Sequence, residues 1–423
     1  MKLYEIAEIV GGGTPSTKNN SYWNGQIPWI TPKDLSSYNN KFISNGERFI
    51  TEAGYDNSSA KMLPPNAILF TSRAPIGYIA IAKNRLCTNQ GFKSLICDEN
   101  KCDYMYMYYW LKNNVEVVKE RANGSTFLEV SATAMKEIDI KLPSLLEQKK
   151  IARILSKIDE KIELNNQIND NLQELNKQLY KRWFIDFDFP NEDGEPYKTS
   201  AGKMIDSEFG EIPVGWEIKE LGSVVLSVNG YSYRGSELVE NSDIGMATIK
   251  NFDRTGGFKI DGYKSLIPAK VKEHHYIDIY DVVVAHTDLT QNADIIGNPI
   301  LILDKSSFER IIISMDLVKV IPNDERLNNF ILYDMLNSKE FKNHALGYVS
   351  GTTVLHLNKS AIKEYNVAIP QDTKLIKKYS DIVTKNYRRV SEIQQENQTL
   401  TKLRDTLLPK LMNGEINLEN IEI

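Results

Sequence analysis

Few side chains in this sequence stand at spacings that could do covalent chemistry. Gly11-Gly12-Gly13 reads as a glycine-rich turn, because neither G-x-G-x-x-G nor Gly-Lys-[Ser/Thr] follows to cradle a phosphate. A methyltransferase acting on base amino groups would need such a cofactor loop and an Asn-Pro-Pro-Tyr-like tetrapeptide. The nearest match, Asn298-Pro299-Ile300, lacks the second proline and the aromatic. Glu217-Ile218-Lys219, Glu340-Phe341-Lys342 and Asp372-Thr373-Lys374 have the acid-x-Lys spacing of Mg²⁺-dependent nucleases. Chance supplies such triplets in a chain that is 25% charged. The histidines, His274, His275, His286, His344 and His356, form no metal-ligand spacing. His286 follows an apolar run and could reach a ligand. The expectation is a binding protein with no catalytic set, no metal and no cofactor.

Recognition chemistry is better represented. Arg73 lies in Thr71-Ser72-Arg73-Ala74-Pro75-Ile76-Gly77, a turn-rich stretch directly after the apolar run Ala67-Ile68-Leu69-Phe70. A guanidinium on a loop held by a strand is suited to bidentate contact with an acceptor pair.

The elements that must position such residues occur twice. Residues 124–143 and 351–370 align without a gap at an offset of 227, with Gly124/Gly351, Thr126/Thr353, Leu128/Leu355, Ala134/Ala361, Lys136/Lys363, Glu137/Glu364 and Pro143/Pro370 identical. Self-similarity of this kind marks a duplicated unit. Fainter echoes precede it. Glu5–Ile9 resembles Glu220–Val224, Ile27–Leu35 resembles Ile244–Phe252, and Ala67–Phe70 resembles Val282–Ala285. These segments are short, β-branched and bounded by Gly, Pro and Asn, as strands are. Residues 104–113 and 328–338 read as short helices, so each copy is a mixed α+β domain.

After each copy the periodicity changes. From Leu145 to Trp183 there is no Gly or Pro, and Ile151, Ile154, Ile158, Asn165, Ile168, Leu172, Leu175 and Leu179 fall at heptad spacing. Such a helix would be ~58 Å long. A second stripe, Ile376, Tyr379, Val383, Val390, Ile393, Leu400 and Leu407, ends near Pro409 and Gly414. Asn165 and Asn397 interrupt the two stripes. Each is either a buried amide that fixes coiled-coil register or an exposed residue in an imperfect heptad. The two helices are expected to pair as an antiparallel coiled coil with pseudo-two-fold symmetry.

The bounds that follow are 1–143 and 216–370 for the two domains, 144–185 and 371–411 for the helices, 186–215 for a linker and 412–423 for a tail. The net charge of −5 is uneven: residues 186–215 carry 8 acidic and 2 basic side chains, whereas residues 1–143 carry 14 and 16. Local phosphate contacts decide nucleic-acid affinity, so an acidic total does not exclude it. No apolar run is long enough to cross a membrane and no signal sequence is apparent at Met1-Lys2-Leu3-Tyr4-Glu5. Cys87, Cys97 and Cys102 form no C-x-x-C, which points to a cytoplasmic protein without disulfides.

These residues resemble the DNA specificity (S) subunit of type I restriction–modification systems, over essentially the whole chain. The resemblance rests on Gly25–Ile30, Ile68–Gly77 and Thr88–Lys93 in the first copy, and on Leu146–Ala152 at the start of the helix. It continues in Trp183–Phe187 and Gly210–Trp216 of the linker. In the second copy Thr71–Gly77 is replaced by the longer His286–Gly297, which implies a different loop. The resemblance implies two target-recognition domains on an internal repeat, each reading one half of a bipartite double-stranded DNA site, in a phage-defence system. It also implies binding to methyltransferase (modification) subunits, two in number, and through them to an ATP-dependent restriction subunit. Half-sites on one face of the duplex lie ~34 Å apart, a span that such helices can bridge.

On that resemblance, residue type and position nominate DNA-binding side chains. They are Thr14, Lys18, Lys33, Ser72, Arg73, Arg85, Asn89, Gln90 and Lys93 in the first copy. In the second they are Tyr231, Arg234, Lys250, Asn251, Arg254, His286, Gln291 and Asn292. Leu155, Ile162, Leu164 and Phe184 are nominated as exposed apolar contacts for partner subunits. Two other readings stand beside this one: a single-chain DNA methyltransferase or nuclease with duplicated recognition domains, and a coiled-coil scaffold that binds no nucleic acid.

Overall fold

A computed structural model describes residues 1–36, 38, 40–124, 128–254 and 256–418. Thr126 of the repeat lies outside them. The chain divides into two compact units, Met1–Leu164 with Asn397–Ile423, and Asn165–Glu396. The fold class is α+β: each unit combines sheets with segments of two long helices, Leu145–Tyr180 and Thr373–Met412.

In the first unit a five-stranded sheet runs in the order Ala7–Gly11, Lys93–Cys97, Ile68–Ser72, Ile76–Ala82, Phe42–Ile43. A second sheet places Trp23–Ile30 between Arg48–Ile50 and Cys87–Thr88, the latter pair parallel. Leu3, Ile6, Ile68, Phe70, Leu95 and Tyr109 form the core, closed by Ile151 and Leu155 of one long helix and Leu408 and Leu411 of the other.

The second unit repeats the plan. Val225–Asn229, Leu317–Pro322, Val282–Ala285 and Pro299–Leu301 form one sheet, and Ile244–Ala247 pairs in parallel with Arg310–Ile313 in another. Backbone bonds give the equivalences. Leu3 N–H donates to Ile138 O (3.0 Å) and Leu221 N–H to Tyr365 O (2.7 Å). Asn89 N–H donates to Ile30 O (2.9 Å) and Ser314 N–H to Ala247 O (2.9 Å). Ile27–Leu35 therefore does match Ile244–Phe252 residue for residue. The other two echoes are shifted. Asp98 N–H bonds to Ile6 O as Asn323 N–H does to Val224 O, so Ile6 and not Ile9 is the counterpart of Val224. Ser72 N–H bonds to Gly91 O as His286 N–H does to Asp316 O, which pairs Ile68 with Val282, one residue from the sequence alignment. Both runs are buried throughout, so alternation of polar and apolar residues could not fix their phase.

The first long helix opens on a capping box, with Ser144 N–H donating to Glu147 Oε2 (2.9 Å) and Glu147 N–H to Ser144 Oγ (3.3 Å). The second runs through Pro409 to Met412 rather than stopping at the proline, and gives way at Gly414, whose φ is +72°. Within each unit the two helical segments lie antiparallel. In the second unit Asn165 Nδ2 donates to Glu396 Oε2 (3.0 Å) and Asn386 Nδ2 to Asn176 Oδ1 (2.6 Å). In the first, Arg404 Nη1 reaches Asp159 Oδ1 at 2.9 Å.

Asn165 is fully buried, so the register-fixing reading applies to it. The apolar stripe is only partly where the heptads put it: Ile151 is buried and Ile154, Ile158, Ile168, Leu172 and Leu179 are half-buried. Leu175 is 50% exposed, while Asn169 and Asn176 are buried. The inward face of this helix segment is therefore part amide. Of the nominated partner contacts, Leu155 and Phe184 are buried in the two cores and unavailable; Leu164 is exposed and Ile162 half-buried.

Candidate nucleic-acid interface

The first copy gathers its candidates at one end of the five-stranded sheet. Strands Ile68–Ser72 and Ile76–Ala82 are joined by a tight turn at Arg73-Ala74-Pro75. Thr71 closes it: its hydroxyl donates to Pro75 O (2.8 Å) and accepts from Tyr78 N–H (2.8 Å). Ser72 is buried and donates to Gly91 O at 3.2 Å. That leaves Arg73 half-exposed at the tip, with Nη1 3.2 Å from Glu129 Oε2. Lys93, on the adjoining strand, reaches Glu129 Oε1 at 3.2 Å and Ser72 Oγ at 3.4 Å.

The loop before Lys93 adds amides. Asn89 Oδ1 accepts Gly91 N–H at 2.8 Å, and exposed Gln90 is hydrogen-bonded to Thr14. Thr14 comes so close because Gly12 packs directly on Thr88 and Asn89, while Gly13 fits against Ser59 and Ala60 and donates its N–H to Thr88 O (2.9 Å). A Cβ on Gly12 would sit 2.0 Å from Asn89 O, and Trp29 Nε1–H donates to Gly13 O at 2.8 Å. The glycines serve close backbone approach rather than phosphate binding.

Thr14, Ser72, Arg73, Asn89, Gln90 and Lys93 are thus brought together. Lys33 sits on the short helix Pro32–Leu35, set by Thr31 and Asp34 as a capping box, and its exposed ammonium pairs with Glu47 at 2.7 Å, which raises its pKa. Lys18 is exposed. Arg85 is exposed beyond the far end of strand Ile76–Ala82, roughly 20 Å from the Arg73 turn by strand rise, so it does not join the cluster.

Glu129 escaped the sequence reading because an acid is not an obvious DNA contact. Its place in the repeated segment was the available signal. Two cations on one carboxylate leave a local positive surplus. An ion pair exposed by about a third is worth only ~0.2–1 kcal/mol, so Arg73 can be exchanged from Glu129 to an anionic ligand at little cost.

The second copy keeps the backbone and changes the side chains. Val130 N–H donates to Ser72 O (3.0 Å), and Leu357 N–H to His286 O (2.9 Å). By this match Arg73 corresponds to Thr287 and Glu129 to His356, which pair across the strands. Gln90 corresponds to Met315, 51% exposed.

His286 is half-buried. Burial, then Lys359 and His356, lower its pKa, and its Nε2 has no hydrogen-bond partner among the described residues. Gln291 and Asn292 are exposed on the loop that follows, and Gln291 Nε2 donates to Thr352 O at 3.1 Å. Lys250 is exposed on the counterpart of the Lys33 turn, and Arg234 and Arg254 are exposed elsewhere in the unit.

Tyr231 and Asn251 serve the fold. Tyr231 is buried and its hydroxyl donates to Glu237 Oε2 at 2.8 Å. Asn251 is buried, accepts Thr248 N–H at 2.9 Å and donates to Lys259 O at 2.8 Å. Among the described residues no three His, Cys, Asp or Glu side chains are grouped to hold a metal ion, and no helix is long and apolar enough to cross a membrane.

A family model described as the type I restriction modification DNA specificity domain matches residues 1–174. The sequence is 34% identical to the type I restriction enzyme MjaIX specificity subunit of Methanocaldococcus jannaschii, over 99% of this chain and 94% of that one. It is 26% identical to the HindI specificity subunit of Haemophilus influenzae, over 71% and 74% of the two chains. Among solved structures, the S subunit of a type I restriction-modification system from M. genitalium has a similar fold. It has a TM-score of 0.60 and 17% identity, and the match covers 97% of this chain and 95% of that one.

Proposed function

The chain belongs to the type I restriction–modification specificity-subunit family, and on that premise we propose that it is the non-catalytic reader of a bipartite double-stranded DNA site. Residues 1–143 and 216–370 are the two target-recognition domains, each taking one half-site. The helices in 144–185 and 371–411 set the gap, and 186–215 links the halves. The chain holds two methyltransferase subunits and, through them, an ATP-dependent restriction subunit. It acts in the cytoplasm.

What carries the reading is the matched backbone of the two copies, with hydrogen-bonding side chains on the same loops and a different set in each. One scaffold with two sets of contacts is what two unlike half-sites require. In the first copy Arg73, Lys93, Gln90 and Asn89 supply cation and amide donors, the groups that pair with guanine, adenine and phosphate oxygens. In the second copy His286, Gln291 and Asn292 supply neutral donors and acceptors, with Lys250 as a phosphate contact.

The test is the methylated motif in host DNA. One bipartite motif should vanish when the chain is deleted and return on complementation. A methylome that is the same with and without it overturns the reading.

A further inference from the structure

In the second copy the tight turn of the first is replaced by a loop, residues 289–298, and this loop is tied at two points. One is Asp288, only 1% exposed. Its Oδ1 accepts both the N–H and the hydroxyl of Thr290 (2.8 Å each), and its Oδ2 accepts the N–H groups of Ile295 (2.8 Å) and Ile296 (3.2 Å). Burial pushes this carboxyl's pKa up, but the bonds from Ile295, Thr290 and Ile296 outweigh it and the net direction is down, so the group is an anion.

The other tie is Lys342, on the helix Lys339–Leu346. Its Nζ donates to Ala293 O (2.9 Å), Ile296 O (2.7 Å) and Asn298 Oδ1 (2.8 Å). All three ammonium protons are spent on the loop. Asn298 Nδ2 in turn donates to Asp294 O at 2.9 Å.

Between these ties lie exposed Gln291 and Asn292, and Gln291 is itself bonded to the repeated segment at Thr352 O. A loop fixed by so many main-chain bonds has lost its conformational freedom before any ligand arrives, which favours tight and selective binding. Neither Asp288 nor Lys342 is placed to touch a ligand itself. The geometry points to Asp288 and Lys342 as positioning residues that set the base preference of the second copy, by fixing the loop that presents Gln291 and Asn292. This rests on the reading of the chain as a DNA-binding subunit.

The test is selection from a pool of duplexes of random sequence, using the full chain assembled with its methyltransferase subunits. The wild type should enrich two half-sites. Lys342→Met should lose discrimination at one of them by about tenfold or more, the scale of one bidentate base contact, and keep the other unchanged. A folded Lys342→Met chain that keeps both preferences, or loses both together, overturns the assignment. If that variant does not fold, Asn298→Ala removes one acceptor of the lysine and should weaken the same half-site by about threefold; no change there overturns it equally. A wild type that enriches nothing rejects DNA reading itself, and the assignment with it.

Discussion

Each unit buries an acid where a short helix packs on a long one, and the two solve the problem differently. In the first, Asp159 is 7% exposed at its side chain, and it takes Arg404 Nη1 at 2.9 Å and the Tyr109 hydroxyl at 2.6 Å. In the second, Asp334 is enclosed by the hydroxyls of Tyr379 (2.7 Å) and Tyr387, with no cation paired to it among the described residues. The recognition end shows the same divergence: a pair of cations sharing Glu129 in one copy, buried Thr287 beside exposed His356 in the other. Duplicated backbones hold their hydrogen bonds while the chemistry hung on them drifts apart.

The hardest blow to this comparison falls on Arg404. Replacing it with Ala strands the Asp159 charge in the first unit, which should cost about 3–5 kcal/mol in denaturant unfolding. A loss under 1 kcal/mol would mean that the ion pair is idle.

Next comes the pH dependence of the second unit. Burial raises the Asp334 pKa to about 7, against the two tyrosine bonds that lower it. The folded state therefore binds a proton more tightly than the unfolded one. Stability from this group is greatest below about pH 4, falls as pH rises, and levels off above about pH 7, a span of about 3–5 kcal/mol. Asp334→Asn should remove that slope. Calorimetric midpoints of the variant, relative to wild type, should rise between pH 5 and pH 8; a constant difference would contradict the assignment.

Arg73→Ala should weaken DNA binding by ~1–3 kcal/mol and relax one position of one half-site, leaving the half-site of the second copy as it was. Binding to systematically varied duplexes reads this directly. Glu129→Gln should do the opposite on a smaller scale. With their shared anion gone, Arg73 and Lys93 are free for phosphate, so affinity should gain up to ~1 kcal/mol and the salt dependence should steepen by roughly one counterion. Titrations at several salt concentrations would show it. The matching His356→Gln change should leave that salt slope alone, which is the sharpest form of the contrast.

Much of this was legible in the sequence. The repeat at an offset of 227 residues gave two α+β copies, because His356 and Leu357 make in the second copy the backbone pairings that Glu129 and Val130 make in the first. The absence of Gly and Pro gave the first long helix, and the apolar stripe from Ile376 to Leu407 gave the second. Of the candidate site, the Ser72–Arg73 turn was nominated through turn chemistry next to an apolar run, and Asn89, Gln90 and Lys93 through the resemblance and their residue types.

What was hidden depended on three-dimensional neighbours. Arg85 looks equivalent to Arg73 by type but stands at the other end of its strand. Leu175 had the better claim to the helix interface, yet Asn176 occupies it, because an amide with a partner such as Asn386 can be buried where a sequence pattern expects leucine. Tyr231 and Asn251 looked like contacts but are consumed by Glu237, Thr248 and Lys259. Lys342 appeared only as part of a chance acid-x-Lys triplet, since nothing local reveals that its three protons converge on a loop more than forty residues away.

One feature shared by the copies bears on how such a protein can change. The bonds from Val130 to Ser72 and from Leu357 to His286 run between main-chain atoms alone. They place no demand on the side chains at 73, 129, 287 and 356, which flank them. Thr287 is buried and donates to Asp316 Oδ1 (3.0 Å), but the more exposed positions 73, 129 and 356 can mutate singly without undoing the strand they border, so fresh binding preferences are reachable in small steps through descendants that all still fold.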